Sequence, residues 1–229
     1  MTRRGAGPAT PKAEETRRRI LDAALDLFQE RGFSETTMRD IAGRAEVATG
    51  AAYYYFPSKE SIVMAFYWQT HVTFDAQVAG LLSGAPELGA RIRTLIAAKL
   101  EQFGPYRDFL GALFRSAGDP ASPLSPFGEE TREIREGSIG HFRAVIEGSK
   151  TKVPADLARH LPFLLWLYQM GIVLFWIYDR SARQARTALL LEKTSELAAT
   201  AIRISRLPGL RPLRSAGISL LESVIPLAD

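Results

Sequence analysis

Residues Arg17–Phe66 read RRRILDAALDLFQERGFSETTMRDIAGRAEVATGAAYYYFPSKESIVMAF, and their order predicts a long helix followed by two short ones. Ile20, Ala24, Leu27 and Phe28 recur at i, i+4, i+7 and i+8, with Leu21 and Leu25 widening the stripe, so one side of the first helix is apolar. The pattern starts near Glu14 and ends at Arg31-Gly32, a basic last turn closed by glycine. Thr37-x-x-Asp40 has the form of a capping box, and Met38, Ile41, Ala42 and Ala45 supply the inner face of the second helix. A third helix covers Thr49–Phe56 and stops at Pro57. Ser58 then caps a fourth, which runs through Ile62, Phe66 and Trp68 to about Leu82.

Outward from this stretch the chain stays helical. Residues 1–13 are rich in Gly, Pro and Ala around Arg3, Arg4 and Lys12 and read as a flexible basic arm. Beyond Pro86, helices are expected at about 88–103, 105–117, 126–148, 155–179 and 182–205, with the Pro/Ser loop 118–126 between two of them. No alternating strand pattern of useful length occurs, so the fold class is all-α. The expected organisation is an arm (1–13), a small domain of short helices (14–60), a larger helical domain (61–207) and a tail (208–229) holding a short helix at 218–225.

The chain has 229 residues, 46% hydrophobic and 24% charged, and no cysteine. Neither a disulfide framework nor a thiolate metal site is available, which fits a reducing, cytoplasmic setting. The basic N-terminus is followed by no apolar stretch, unlike a secretory leader. Residues 161–178 carry no charge over 18 positions and reach the length of a membrane span. Gln169 in the middle, Pro162 near the start and the lack of a second such segment favour a helix buried in protein instead, and no membrane partner is expected. The net charge of +4 suggests an anionic partner, but residues 1–60 hold ten Lys/Arg against nine Asp/Glu. Placement of the basic groups, not their number, has to carry any nucleic-acid argument.

Two short helices about three residues apart, packed on a longer one, make a helix-turn-helix. The run of Tyr53, Tyr54 and Tyr55 supports this over a plain buried hairpin, because three phenol hydroxyls on successive positions face more than one side and each needs a partner. Arg17–Phe66 as a whole resembles the DNA-binding domain of the TetR family of bacterial regulators. The resemblance rests on ILDAALDLF, on the G-F-x-x-T-T-x-x-x-I-A entry to the second helix and on the G-x-x-Y-x-x-F-x-S-K-E run. It implies that Thr49, Gly50, Ala51, Tyr53 and Tyr54 face base edges or the adjoining backbone of double-stranded DNA. It further implies that Thr37, Arg39, Tyr55 and Lys59 meet phosphates. Three positions depart from the family pattern: Ala48 stands where Ser often caps the third helix, Ala51-Ala52 replace Thr and a larger aliphatic, and Glu46 occupies a turn position often held by Gly. With no Arg, Asn or Gln on the reading face, bidentate base recognition is missing from the third helix.

For the remainder, the resemblance implies a ligand-sensing and dimerisation domain in which helices near 155–179 and 182–205 pair with those of a second copy. Aromatic residues with a few polar neighbours are the form of a small-molecule pocket. Phe103, Tyr106, Phe109, His141, Phe142, Phe163, Trp166 and Gln169 are the candidates, although aromatics at helical spacing also simply build cores. No cofactor is expected, three scattered histidines make no metal site, and no nucleotide, metalloprotease or serine-hydrolase motif occurs. The leading reading is a homodimeric repressor released from a palindromic operator by a small apolar or aromatic effector. A second is a regulator or activator whose helical domain recruits a protein and binds no small molecule. A third is an all-α enzyme in which the hairpin is incidental.

Overall fold

The computed structural model describes residues 10–117 and 122–224. Residues 1–9 of the expected arm, 118–121 of the expected loop and 225–229 of the tail lie outside that range. The described residues form helices and connecting turns, with no strand among them.

The first helix, α1 (Pro11–Arg31), begins three residues earlier than its apolar stripe suggests. Thr10 caps it by accepting the Ala13 amide at 3.3 Å, and Pro11 occupies the first turn, where no amide hydrogen is needed. Gly32 ends it at φ +87°, a conformation that favours glycine. Then follow α2 (Met38–Arg44), α3 (Thr49–Tyr55), α4 (Lys59–Leu81), α5 (Leu88–Phe103), α6 (Arg107–Ala117) and α7 (Arg132–Glu147). The C-terminal part holds α8 (Ala155–Ala158), α9 (Leu161–Tyr178), α10 (Ala185–Ile204) and α11 (Arg211–Val224).

Three expected helices differ in extent. The one placed at 126–148 starts at Arg132, because the segment before it is a series of turns in which Gly128 N–H donates to Ser125 O and the Thr131 hydroxyl to the same carbonyl at 2.6 Å. The helix placed at 155–179 is two helices, α8 and α9. Pro162 lacks an amide hydrogen and its ring would collide with the carbonyl four residues earlier, so a new helix starts with it in the first turn. The tail helix begins at Arg211, seven residues before the expected 218.

The chain divides into two compact units, one drawing on Met1–Thr70 and Tyr106–Arg132, the other on His71–Pro105 and Glu133–Asp229. In the first, α1 packs on α2 and α6, and the core centres on Phe28, Ile41, Ala52, Phe66 and Phe109. Arg44 and Glu30 make a two-point ion pair at 2.8 and 2.9 Å that ties α2 to α1. Unit two is built on α5 against α10, with α9 alongside, around Phe74, Ile92, Phe142, Trp166 and Leu191.

Polar groups brace this second core. The buried Arg91 guanidinium donates to four carbonyls, those of Leu82 (2.7 Å), Ala85 (3.0 Å), Ala144 (2.9 Å) and Val145 (2.8 Å). It therefore closes the C-terminal ends of α4 and α7, where carbonyls lack helical partners. Asp179 holds the α9–α10 turn by accepting the amides and hydroxyls of Ser181 and Thr187 at 2.7–2.9 Å. Those bonds, with that from the Ser181 hydroxyl foremost, keep its carboxyl far below the usual range. They also hold a turn in which Arg183 and Gln184 both take left-handed φ, +51° and +52°. The charge-free α9 is the one described helix long and apolar enough to cross a membrane. Leu165, Trp166, Gln169, Ile172 and Trp176 bury one side of it in the second unit. Gly171, Phe175 and Tyr178 lie exposed along the other.

Candidate nucleic-acid interface

α2 and α3 are joined by a turn that the sequence makes expensive and the structure reinforces. Glu46 sits at φ +53°, the left-handed conformation for which a glycine is better suited. Its neighbour bonds hold it: Val47 N–H reaches Ala42 O at 3.0 Å and Glu46 N–H reaches Gly43 O at 3.2 Å. Arg19 on α1 adds a cation, donating to the carbonyls of Ala45 and Glu46. Arg19 itself stays exposed, with its guanidinium turned to these carbonyls. Arg17 is similarly engaged, its guanidinium lying 4.8 Å from the centre of the Phe56 ring.

At the start of α2 the capping box is complete. The Thr37 hydroxyl accepts the Asp40 amide at 3.2 Å, and the Asp40 carboxylate accepts the Thr37 amide at 3.0 Å. The Thr37 hydroxyl and amide hold the Asp40 carboxyl below its usual range, with Arg31 at 3.8 Å helping. Thr37 and Arg39 are both exposed beside this cap.

α3 is pinned from beneath by Ala52 and Phe56, both buried. Thr49 and Gly50 are exposed and Ala51 partly so. Tyr54 is 82% exposed and Tyr53 half-exposed, while Tyr55 is tucked in, its ring edge-on to Tyr54 at 5.3 Å and 84°. One face of this short helix thus presents two large aromatic side chains with free hydroxyls. Its N-terminus has no side-chain cap, because Ala48 at the cap position has nothing to offer. The backbone there is already extended (φ −64°, ψ 143°), as a cap requires. Ala48→Ser is therefore expected to stabilise the chain by about 1 kcal/mol, read as a rise of a few degrees in thermal unfolding. An unchanged or lower midpoint would mean that the new hydroxyl does not reach the α3 amides.

Lys59 at the start of α4 faces inward as well as outward. Its ammonium donates to Phe33 O at 2.6 Å and sits 4.6 Å from the centre of the Phe33 ring. Lys59 is half-buried and ties the start of α4 to the loop between α1 and α2.

The structure divides the aromatic candidates of the larger half. Tyr106 and Phe109 belong to the first unit: Tyr106 packs edge-on against Phe66 at 4.7 Å, and Phe109 stacks on Phe28 at 5.3 Å. The other six, Phe103, His141, Phe142, Phe163, Trp166 and Gln169, fall in the second unit. There Phe163 lies 5.7 Å from Trp166, and Phe142 is fully buried. The His141 Nε2 meets Asp75 at 2.9 Å, and its ring stacks on His71 at 5.4 Å. An open depression of about 620 Å³ lies between α4, α5 and α7, lined in part by Val78, Leu82, Ala144 and His141, with Asp75 and Glu136 also on its wall. Among the described residues no three His, Cys, Asp or Glu side chains are grouped to hold a metal.

Sequence reasoning missed two charged residues of the second unit, Arg91 and Lys99. Both are buried on α5. The signal was present: in the stripe Leu88, Ile92, Leu95, Ile96 the next inward position is Lys99, and Arg91 lies beside it.

Comparison with known proteins covers both halves. Residues 20–66 match the family described as bacterial regulatory proteins, tetR family, and residues 91–217 match the tetracyclin repressor-like C-terminal domain. The uncharacterized HTH-type transcriptional regulator YuxN of Bacillus subtilis is 22% identical over 155 residues, 68% of this chain and 46% of that one. Matched stretches span less than half the length of the leading curated relatives. A tetR-family transcriptional regulator from Streptomyces coelicolor superposes with a TM-score of 0.64 at 21% identity, covering 92% of this chain and 89% of its own. FadR of Bacillus subtilis, solved in complex with stearoyl-CoA, superposes with a TM-score of 0.60 at 16% identity, covering 78% and 96%.

Proposed function

The chain belongs to the TetR family of DNA-binding transcriptional regulators, and on that premise we propose that it is a homodimeric repressor released from a palindromic operator by a small apolar or aromatic effector. The observation that carries the DNA-reading part is the face of α3, where Tyr53 and Tyr54 stand out from a helix anchored by Ala52 and Phe56. The major groove admits one such helix. Thr49, Gly50, Ala51, Tyr53 and Tyr54 are assigned to base edges and adjoining sugars. A tyrosine ring packs on a thymine methyl while its hydroxyl bonds to phosphate. Thr37, Arg39, Tyr55 and Lys59 are assigned to phosphates. The Lys59 ammonium has three N–H donors, so its bond to Phe33 leaves capacity for a phosphate oxygen.

Pairing is assigned to α9 and α10. Apolar side chains lie exposed on both: Phe175 and Tyr178 on the first, Leu189, Leu197 and Ile204 on the second. Two-fold pairing suits DNA reading, because two recognition helices must meet half-sites about one helical turn apart. The effector is assigned to the interior of the second unit, among Phe103, Phe142, Phe163 and Trp166. By linkage, such a ligand releases DNA only as far as it prefers the non-binding state.

Selection of bound fragments from a genomic pool, followed by gel shift, tests this reading. A palindromic site is the expected result; recovery of no preferred sequence defeats it. On that site Lys59→Ala should weaken binding nearly uniformly across sequences and reduce the salt slope by about 1. Tyr54→Ala should instead change which sequences are preferred. If both variants bind like the wild type, the assignment of these residues is wrong.

A further inference from the structure

We propose that Arg19 is a positioning residue for DNA reading: from α1 it clamps the left-handed turn at Glu46 and so fixes the angle at which α3 is presented to the duplex. This inference rests on the assignment of α3 as the reading helix and adds what sets its direction.

The need for a clamp follows from how little else holds α3. Of its seven residues only Ala52 is buried, with Tyr55 partly packed on the first core. A helix of two turns is not stable by itself, so its direction is set by packing and by its two ends. At the far end Phe56 is buried, and Arg17 of α1 lies over its ring. At the near end the side-chain cap is missing, since Ala48 has no hydroxyl. What remains there is the turn out of α2, and α3 points where that turn sends it.

The turn has the paired bonds of a common helix stop, Val47 N–H to Ala42 O and Glu46 N–H to Gly43 O, with Glu46 as the left-handed residue. Glycine is the usual occupant, because a Cβ is disfavoured at a φ of +53°. A non-glycine residue keeps such a conformation only where its surroundings over-determine it. Arg19 is placed to do this. Its Nη2 donates to Ala45 O and, at 3.4 Å, to Glu46 O. Those carbonyls belong to the peptides on either side of Glu46, and rotation of these two planes is what its φ and ψ describe. One nitrogen thus holds both. A cation suits the place as well, because the last carbonyls of α2 form its negative end. The Glu46 carboxylate lies 3.9 Å from the same nitrogen but is 88% exposed, and an ion pair that open contributes little. The clamp therefore acts on backbone. The competing role for an arginine side chain 44% exposed is a direct phosphate contact, and the two roles differ in salt dependence and in their response to glycine at the turn.

A double-mutant cycle on the full chain tests the proposal, with gel shifts over a salt series on the selected operator and on a random duplex. Arg19→Ala is expected to weaken operator binding about tenfold, leaving the salt slope and the random-duplex affinity unchanged. In a Glu46→Gly chain, whose turn no longer needs the clamp, the same substitution should cost no more than about twofold. Arg19→Lys, which keeps donors for both carbonyls, should recover part of the loss, and Arg19→Gln replaces alanine if that variant does not fold. Glu46→Gln should bind like the wild type. A salt slope reduced by about 1 with equal weakening in both backgrounds makes Arg19 a phosphate contact and overturns the clamp. So does wild-type affinity for Arg19→Ala, or a loss in Glu46→Gln equal to that in Arg19→Ala. A wild type with no preferred sequence defeats the operator reading instead, and the same cycle read in thermal unfolding then decides the clamp. A midpoint lowered by Arg19→Ala in the Glu46 chain and unmoved in the Glu46→Gly chain keeps it; equal shifts in both sink it.

Discussion

Arg91→Ala is expected to lower stability by about 2–4 kcal/mol, a drop of roughly 5–15 °C in the thermal unfolding of the chain. Four hydrogen bonds to carbonyls disappear together, and each bond from a charged donor is worth about 1.5–3 kcal/mol in isolation. The sum overstates the effect, because the guanidinium sits in a buried site without a carboxylate partner and is itself costly to desolvate. What remains is the loss of the group that closes two helix ends at once. Arg91→Lys should recover little, since one ammonium cannot span carbonyls that a planar fork reaches from three nitrogens. Arg91→Met keeps most of the volume and separates bonding from packing. Gly148→Ala should be destabilising for the same reason, because its new Cβ would collide with the Arg91 guanidinium. If Arg91→Met unfolds within 2 °C of the wild type, the carbonyl cluster is not what holds α4 and α7 together.

Much of the first unit was legible in the sequence because its signals are local. The capping box at Thr37–Asp40, the glycine closing α1 and the proline after α3 each act within a few residues, and the structure contains all three. Glu46 was legible as an ill-suited residue for its turn, and its positive φ bears that out. Less legible were features set by tertiary partners. Phe109 and Tyr106 look like any aromatic pair on a helix, and only the packing of α6 against α1 assigns them to the first core. Lys99 and Arg91 read as surface residues by type. Their positions on the α5 stripe say otherwise, and position prevails because burial follows the helix face, not the side chain's average habit. Pro162 lies inside the single helix expected at 155–179, and in the structure it stands in the first turn of the second of two helices.

The nine DNA-facing assignments have a different standing from the fold. Thr37, Arg39, Thr49, Gly50, Tyr53 and Tyr54 are exposed, while two basic groups that composition would have lent to DNA already have partners in the protein: Arg19 donates to the Ala45 and Glu46 carbonyls and Arg17 lies over the Phe56 ring. Affinity then depends on fewer cations than a count of charges suggests, and doubling the contact by pairing two chains becomes correspondingly important.

That dependence gives the pairing assignment its sharpest test. Leu197→Glu on α10 should convert a dimer to a monomer at micromolar concentration and reduce operator affinity by at least 100-fold. In the single chain Leu197 is 67% exposed, so the substitution removes little internal packing and the monomer should unfold at nearly the wild-type temperature. In a two-fold pair the change is made twice. Burying an unpaired carboxylate costs several kcal/mol each time, against about 25 cal/mol per Å² gained from apolar contact. Leu213→Glu on α11, which is 71% exposed but lies outside the two assigned helices, is the matched control and should leave the dimer intact. Sedimentation velocity reads the assembly and gel shift reads the operator. A Leu197→Glu chain that still sediments as a dimer would move the interface away from α10. A Leu213→Glu chain that dissociates would extend it to α11. A monomer that holds its operator as tightly as the dimer would sever the link between pairing and DNA reading.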